Sequence, residues 1–426
     1  MALARLAGRS SFRAIGLRRS SAWGLVFASV GCASAATDRP RVLSAGPKQP
    51  AIASAQASSA RLASESAAAS FVLAAGGDVN LGRVCGQRLL AEPSYDPFRG
   101  VASLWKDADL RFVNLESGLS EQHGETQSPH HGLVFTGPPG GADALLRAGV
   151  GIVSTANNHA WDYARRGLFE TLANLDRVGV AHAGTGRDED EAYRPAIVQV
   201  NGLRVAFFAV TQIWNLGVFS EEEARHHVAW ADFPRLHAAL VRARAESDFV
   251  VVSYHGGEEY IEAPLTKTRD FVTEVMSLGV DLVIGHHPHV PQGVGWYGDR
   301  PVFYSLGNFV FDGRKELPWT RLSFIAKVRF RRGAPLEVSA CPYAIDGFEP
   351  TATSTSDGEA MRAFEHHLQA TSATVGGTEL GERDALGCIR LTHPEARVEG
   401  EPLTKPGRPN RDLPRADPGS ARLGLR

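Results

Sequence analysis

The chain has 426 residues, 43% of them apolar, and a formal net charge of −2. It can bury a large core, and its length allows two or three domains. The near-zero charge supplies no basic excess for a nucleic-acid partner, so none is expected.

The amino terminus differs in character from the rest. Arg5, Arg9, Arg13, Arg18 and Arg19 precede an apolar stretch, residues 22–30, which ends in Gly31-Cys32 and Ala33-Ser34-Ala35. A basic region, a short apolar region and small residues at a cleavage point describe an export signal over residues 1–35. The apolar run is too short for a membrane span. Cys32 offers the acylated cysteine of a lipoprotein, Arg18-Arg19 fits the twin-arginine route, and cleavage after Ala35 is the competing outcome. The lipoprotein reading is preferred because residues 36–70, rich in Ala and Ser, read as a disordered tether that lifts the folded part off a membrane. The expected location is the cell envelope, either held by a lipid anchor or free in the periplasm or outside the cell.

Five apolar runs then end abruptly in ligand-type residues. Residues 71–77 end in Asp78, with Asn80 two positions on, and residues 110–115 end in Glu116. Residues 151–156 end in Asn157, Asn158 and His159, with Asp162 a turn later. Residues 248–254 end in His255, and residues 282–284 run into Gly285-His286-His287-Pro288-His289. Short continuous apolar runs read as buried strands of a parallel or mixed sheet, and open α/β sheets bind ligands beyond the carboxyl ends of their strands. The repeated placement predicts one site assembled from distant sequence. At the last run, the alternation of side chains along a strand is expected to put His287 and His289 on one side of the backbone.

The donor set mixes carboxylate, amide and imidazole without cysteine, which suits divalent Mn, Fe, Zn or Mg. Asp78, Asn80, Glu116, Asn158, His255, His287 and His289 exceed one tetrahedral shell and match two ions bridged by a carboxylate. A non-ligating imidazole beside such ions acts as general acid or base, oriented by a carboxylate; His159 with Asp162 fits that role. Arg83 has two readings, partner of a substrate anion or of a nearby carboxylate. Tyr304 and Asn308 shape the loop beneath the histidine pair, with Asn308 a candidate substrate contact. His123, His130 and His131 read as solvated loop residues, and His226 and His227 as helix surface.

Between these runs, residues 166–178 form an amphipathic helix stopped by Gly179. Strands 196–200 and 203–210 pair across Asn201-Gly202. Ser220 opens a helix supported by Glu221, Glu222 and Glu223, and another spans 265–278 up to Gly279. Two more strands fall within 321–345, and a late helix within 359–370. The fold class is α/β with a mixed sheet. Residues 71–350 form the folded domain, 351–393 a helical extension and 394–426 a disordered tail. Beyond Cys32, Cys85, Cys341 and Cys388 allow at most one disulfide among themselves. Cys85 reads as a small buried apolar residue.

Gly77-Asp78-Val79-Asn80-Leu81-Gly82-Arg83, Asn114-Leu115-Glu116, Ala156-Asn157-Asn158-His159 with Asp162, Gly285-His286-His287-Pro288-His289-Val290 and Tyr304-Ser305-Leu306-Gly307-Asn308-Phe309 resemble the successive signatures of the poly-γ-glutamate capsule-biosynthesis (CapA-type) family. That family is similar to the calcineurin-like metallophosphoesterases. The resemblance spans roughly residues 71–312. It implies a two-sheet sandwich flanked by helices (αββα), with Asp78 the first carboxylate ligand, Glu116 the bridging one, and Asn158 the amide ligand. It also implies His255, His287 and His289 as imidazole ligands and His159 as the catalytic imidazole. Two departures stand out. Asn80 occupies the place where calcineurin-like enzymes carry histidine, and Gly256 the place where the family usually carries tryptophan. Two functions follow: a metal-dependent hydrolase or transferase acting on an anionic polymer or phosphoester, or a non-catalytic envelope component that binds such a polymer. Either would work beside a membrane-bound polymer synthase.

Overall fold

In the strand Ser70–Val79, Phe71, Leu73 and Ala75 face one apolar layer and Ala74 another, and all four are fully buried. A strand covered on both faces needs apolar residues at successive positions, which is why the run is continuous rather than alternating. The computed structural model describes residues 69–215, 221–353 and 358–395. The expected export signal, nearly all of the tether, Ser220 and all but the first two residues of the expected tail lie outside the described residues.

The larger sheet runs, edge to edge, Glu379–Arg383, Ile389–Thr392, Glu337–Asp346, Leu322–Arg331, Ser70–Val79, Leu110–Leu115, Ile152–Ser154 and Ala181–Ala183. Asn308–Val310 pairs beside Ser70–Val79, and Glu349–Ala352 beside Glu337–Asp346. The smaller sheet runs Val294–Tyr297, Arg300–Phe303, Leu282–His286, Phe249–His255, Leu203–Thr211 and Ala196–Val200. Phe71, Leu73, Phe112 and Ile152 of the larger sheet share one apolar layer with Phe207, Val251, Ile284 and Phe303 of the smaller. On the other side of the larger sheet, Ala74, Val113 and Val153 meet Leu145 of the helix Gly141–Arg147 and Leu175 of the helix Ala164–Val178. On the other side of the smaller sheet, Val250, Val252 and Val283 meet Leu236 of the helix Phe233–Glu246 and Val275 of the helix Thr266–Ser277. The fold is therefore α/β, with two facing mixed sheets between helical layers.

Within each sheet the strands that carry the expected ligands run parallel. One irregularity aims the first of them. The register between Ser70–Val79 and Leu110–Leu115 slips between Ala75 and Asp78. The slip turns Val79 into the helix-side layer beside Ala74 and leaves Asp78 facing the space between the sheets. Gly77 sits at the slip, where a Cβ would stand 1.9 Å from the Gly307 carbonyl oxygen. Gly77→Ala must push two backbones apart and is expected to cost roughly 1–3 kcal/mol, the range for overpacking. Urea unfolding measures it, and a midpoint equal to wild type would contradict this account.

The hairpin joining Ala196–Val200 to Leu203–Thr211 turns at Asn201 and Gly202, whose φ values of 49° and 76° are those a two-residue hairpin turn demands. Gly179 ends the helix Ala164–Val178 at φ 74°. The helix expected from Ser220 is a single described turn, Glu221–Ala224. His227 departs from its expected surface position. It is buried, stacks on Trp161 at 5.2 Å and meets the Gly186 carbonyl at 3.2 Å.

The segment 351–393 is more than a helical extension. After the helix Gly358–Ala373, the strands Glu379–Arg383 and Ile389–Thr392 form a hairpin that extends the larger sheet beyond Glu337–Asp346. The outer strand, ELGER, is largely exposed and polar, so it lacks the apolar pattern that would have revealed it. A Cys341–Cys388 disulfide fastens this hairpin to the sheet, and Cys85 is free and buried.

Candidate metal centre

Asp78, near the end of its strand, Glu116, just past Leu110–Leu115, and His255, the last residue of Phe249–His255, each offer a ligand atom within 4.8 Å of the others. Glu116, His287 and His289 form a second such trio. Glu116 belongs to both, which is the arrangement a bridging carboxylate requires. Its Oε1 lies 3.6 Å from His255 Nε2 and 3.8 Å from His289 Nε2. Asn158 joins through its Oδ1, 2.8 Å from His255 Nε2.

Hydrogen bonds from neighbouring amides fix these groups. Asn114 Nδ2 donates to Asp78 Oδ1 at 2.8 Å and faces His255 Nδ1 at 3.3 Å. Asn157 Nδ2 in turn donates to Asn114 Oδ1 and to the Leu115 carbonyl. Asn308 Oδ1 accepts from His289 Nδ1 at 2.8 Å, which turns the lone pair of Nε2 toward Glu116.

Burial sets the charge states. Burial pushes Glu116 well above the ordinary carboxylate range, and the nearby Asp78 and Glu259 push it further. Burial would also raise Asp78, but the side-chain contact with His286 outweighs it and holds that carboxyl well below the usual range. Burial, reinforced by His287, lowers His255 well below the ordinary imidazole value. Burial, then His289, lowers His287 to about 4, and burial lowers His289. Neutral imidazoles are what a cation can use as ligands. Both oxygens of Glu116 are buried without a hydrogen-bond partner, as is Nδ1 of His287. A buried carboxylate left without partners is costly. Divalent ions held by Asp78, Glu116, Asn158, His255, His287 and His289 would satisfy it, so the donor set fits the metal.

Beside this cluster, His159 Nδ1 lies 2.8 Å from Asp162 Oδ2, and its Nε2 lies 4.0 Å from Glu116 Oε1. Asp162 Oδ2 also accepts from the Phe135 backbone N–H at 3.0 Å, and Oδ1 accepts from Asn215 Nδ2 at 2.8 Å. With the carboxylate so held, the proton of a neutral His159 is assigned to Nδ1, leaving the Nε2 lone pair facing the cluster. Phe135 stacks on the ring at 4.0 Å.

A family model described as bacterial capsule synthesis protein PGA_cap matches residues 72–313. The chain belongs to that family. The capsule biosynthesis protein CapA of Bacillus anthracis is 27% identical over 324 residues, covering 74% of this chain and 77% of that relative. The PGA biosynthesis protein CapA of Bacillus subtilis is 30% identical over 268 residues, covering 62% and 67%. Among solved structures, a putative 5′-nucleotidase from Staphylococcus aureus aligns at TM-score 0.39 and 14% identity, over 70% of this chain and 58% of that one. The sandwich described above rests on the strand pairing and not on that alignment.

His287 and His289 reach the cluster by a route other than strand alternation. The strand Leu282–His286 ends before the histidine pair, so its alternation delivers His286 rather than His287 to the inner face. His286 Nδ1 stands 3.1 Å from Asp78 Oδ1. His287 and His289 reach the cluster through left-handed backbone, at φ 98° and 58°, and the His287 N–H donates to Asp78 Oδ2 at 3.2 Å. Such conformations in residues with a Cβ cost of order 1–3 kcal/mol each and gather at functional sites. Asn80 is buried, and its Oδ1 accepts from the Gly82 N–H at 2.8 Å. Asn308 places Oδ1 on His289 and donates from Nδ2 to the Thr320 carbonyl, which holds the His289 ring in orientation. Arg83 lies 3.7 Å from Asp312 and 4.4 Å over the Phe135 ring, a contact that leaves both of its readings open. Asn114, Asn157 and His286 were missed; Asn114 carried a signal, sharing a strand face with Phe112 one step before the Glu116 turn.

Proposed function

We propose that the protein is an exported, metal-dependent hydrolase or transferase that acts on an anionic polymer of the poly-γ-glutamate kind. The observation that carries this reading is Glu116, a buried carboxyl with no hydrogen-bond donor on either oxygen among the described residues, shared by two ligand trios and faced by the Nε2 of His159. Divalent ions, when bound, would polarise the scissile group and neutralise developing negative charge. The chain's own residues would do the rest. His159 takes the nucleophile's proton at Nε2 and returns it to the leaving group, while Asp162 holds the ring and stabilises its charged form. The burial of Asp78, Glu116 and His255 keeps bulk water from weakening these interactions. The relatives named for capsule and PGA biosynthesis supply the polymer. The Cys341–Cys388 disulfide supports export, since such bonds persist in oxidising compartments. Attachment through a lipid on Cys32 would place the site beside a membrane-bound polymer synthase.

The test is metal content of the purified full chain, with turnover of γ-linked glutamate oligomers and of simple phosphoesters. Bound divalent metal with metal-dependent cleavage or transfer of the oligomers is the expected result. Metal-loaded protein that turns over neither substrate yet still binds the polymer would establish the non-catalytic envelope role instead.

A further inference from the structure

Beside the ligand cluster, rings and cations alternate. Phe135 stacks on His159 and carries the Arg83 guanidinium 4.4 Å above its own ring. Arg83 reaches Asp312 at 3.7 Å, next to Phe311, which lies 4.6 Å from the His289 ring. Two residues further on, Arg314 lays its guanidinium 4.8 Å over Tyr260, whose ring is 6.3 Å from His289. Arg314 comes from the loop after Asn308–Val310 in the larger sheet, whereas Tyr260 comes from the loop after Phe249–His255 in the smaller, so the pair joins loops of the two sheets.

Neither cation has a carboxylate at hydrogen-bonding distance among the described residues. Arg314 is exposed and, among the described residues, has no carboxylate within 4.0 Å. Arg83 has one carboxylate at a loose distance and a buried Nε without a partner. Arg83 also stands at φ 48° and Tyr260 at φ 66°, left-handed values that residues with a Cβ rarely adopt.

We propose that Arg83 and Arg314, braced on Phe135 and Tyr260, form a ledge that binds carboxylates of a polycarboxylate chain and feeds it to the metal cluster. The proposal rests on the polymer reading above and names what holds the polymer. A guanidinium presents paired N–H donors to a carboxylate, and stacking on a ring fixes its plane beforehand. Two such groups, each on a ring that neighbours a cluster histidine, suit a ligand with repeated carboxylates, and Glu259, beside Tyr260 in the sequence, opposes them with a negative charge.

The test uses the full chain loaded with Mn²⁺ and three probes in titration calorimetry: a γ-linked glutamate oligomer, its α-carboxamide counterpart, and a polyphosphate of similar length. Arg314→Ala and Arg83→Ala should each weaken glutamate-oligomer binding about tenfold, as expected for loss of one charged hydrogen-bonding group, with metal content unchanged. Arg314→Lys should recover part of the loss, and Glu259→Gln should tighten binding. Equal affinity of the two alanine variants and wild type, or equal affinity for the uncharged oligomer, overturns the ledge. Polyphosphate binding that is tighter and more sensitive to these variants overturns the carboxylate assignment. Absence of turnover with these binding changes intact would remove the catalytic reading and leave the ledge standing.

Discussion

Glu116→Gln is expected to abolish most of the stabilisation that divalent metal gives the folded protein, while making the metal-free protein more stable than wild type. Opposite signs follow from one environment. A metal that binds only the native state stabilises it by about 4 kcal/mol at a thousandfold excess over its dissociation constant. Glu116 belongs to both ligand trios, so its loss removes a donor from each. Without metal, the same carboxylate is buried with no partner, and an amide of equal shape removes the cost of its charge.

The pH dependence separates this from its neighbours. The raised Glu116 value means that the native metal-free protein holds a proton the unfolded chain gives up near 4.5, so this group's contribution to stability falls as pH rises above that value. His287, lowered to about 4 from 6.5, acts in the other direction, and its contribution grows as pH rises through that window. The difference in stability between metal-free Glu116→Gln and metal-free wild type cancels the histidine term and should widen from about pH 4.5 upward. Thermal melts with chelator and with Mn²⁺ across this range measure both effects. A metal-free variant less stable than wild type at neutral pH would contradict the unpartnered carboxylate, and an undiminished response to Mn²⁺ would remove Glu116 from the site.

The strand-then-ligand pattern was readable because buried parallel strands leave a continuous apolar trace and their carboxyl ends leave a polar one; Asp78, Glu116, His255 and the late histidines all stand at such junctions. The amide ladder was not readable. Asn114 lies inside an apolar run, and its value depends on which residue the Gly76-Gly77 slip brings opposite it, a tertiary fact. The histidine pair was located correctly by position and wrongly by cause. Alternation along the strand delivers His286, whereas His287 and His289 turn inward through left-handed backbone that no periodicity encodes. The final hairpin escaped because its outer strand is polar, and it is held by pairing and by a disulfide partner 47 residues away.

His159→Ala should lower turnover by roughly 10²–10⁴-fold, the span for losing a general acid or base, and leave metal content nearly unchanged. The separation follows from geometry. Nδ1 of His159 is committed to Asp162 at 2.8 Å, and Nε2 stands 4.0 Å from Glu116, while His255, His287 and His289 supply the trios without it. Asp162→Asn should cause a smaller loss in the same direction. Three donors converge on that carboxylate: the His159 ring and the Phe135 N–H on one oxygen, and Asn215 Nδ2 on the other. An asparagine can keep its oxygen toward His159 and Phe135 only by turning its own NH₂ on Asn215, whose donated hydrogen bond is then lost. The ring keeps its tautomer but loses the charge that stabilised its protonated form. Asn215→Ala, which leaves the charge and removes one brace, should therefore fall between wild type and Asp162→Asn. Metal analysis beside steady-state kinetics on a γ-linked glutamate oligomer decides the matter: if His159→Ala strips the metal, His159 is a ligand, and the proton must be carried elsewhere.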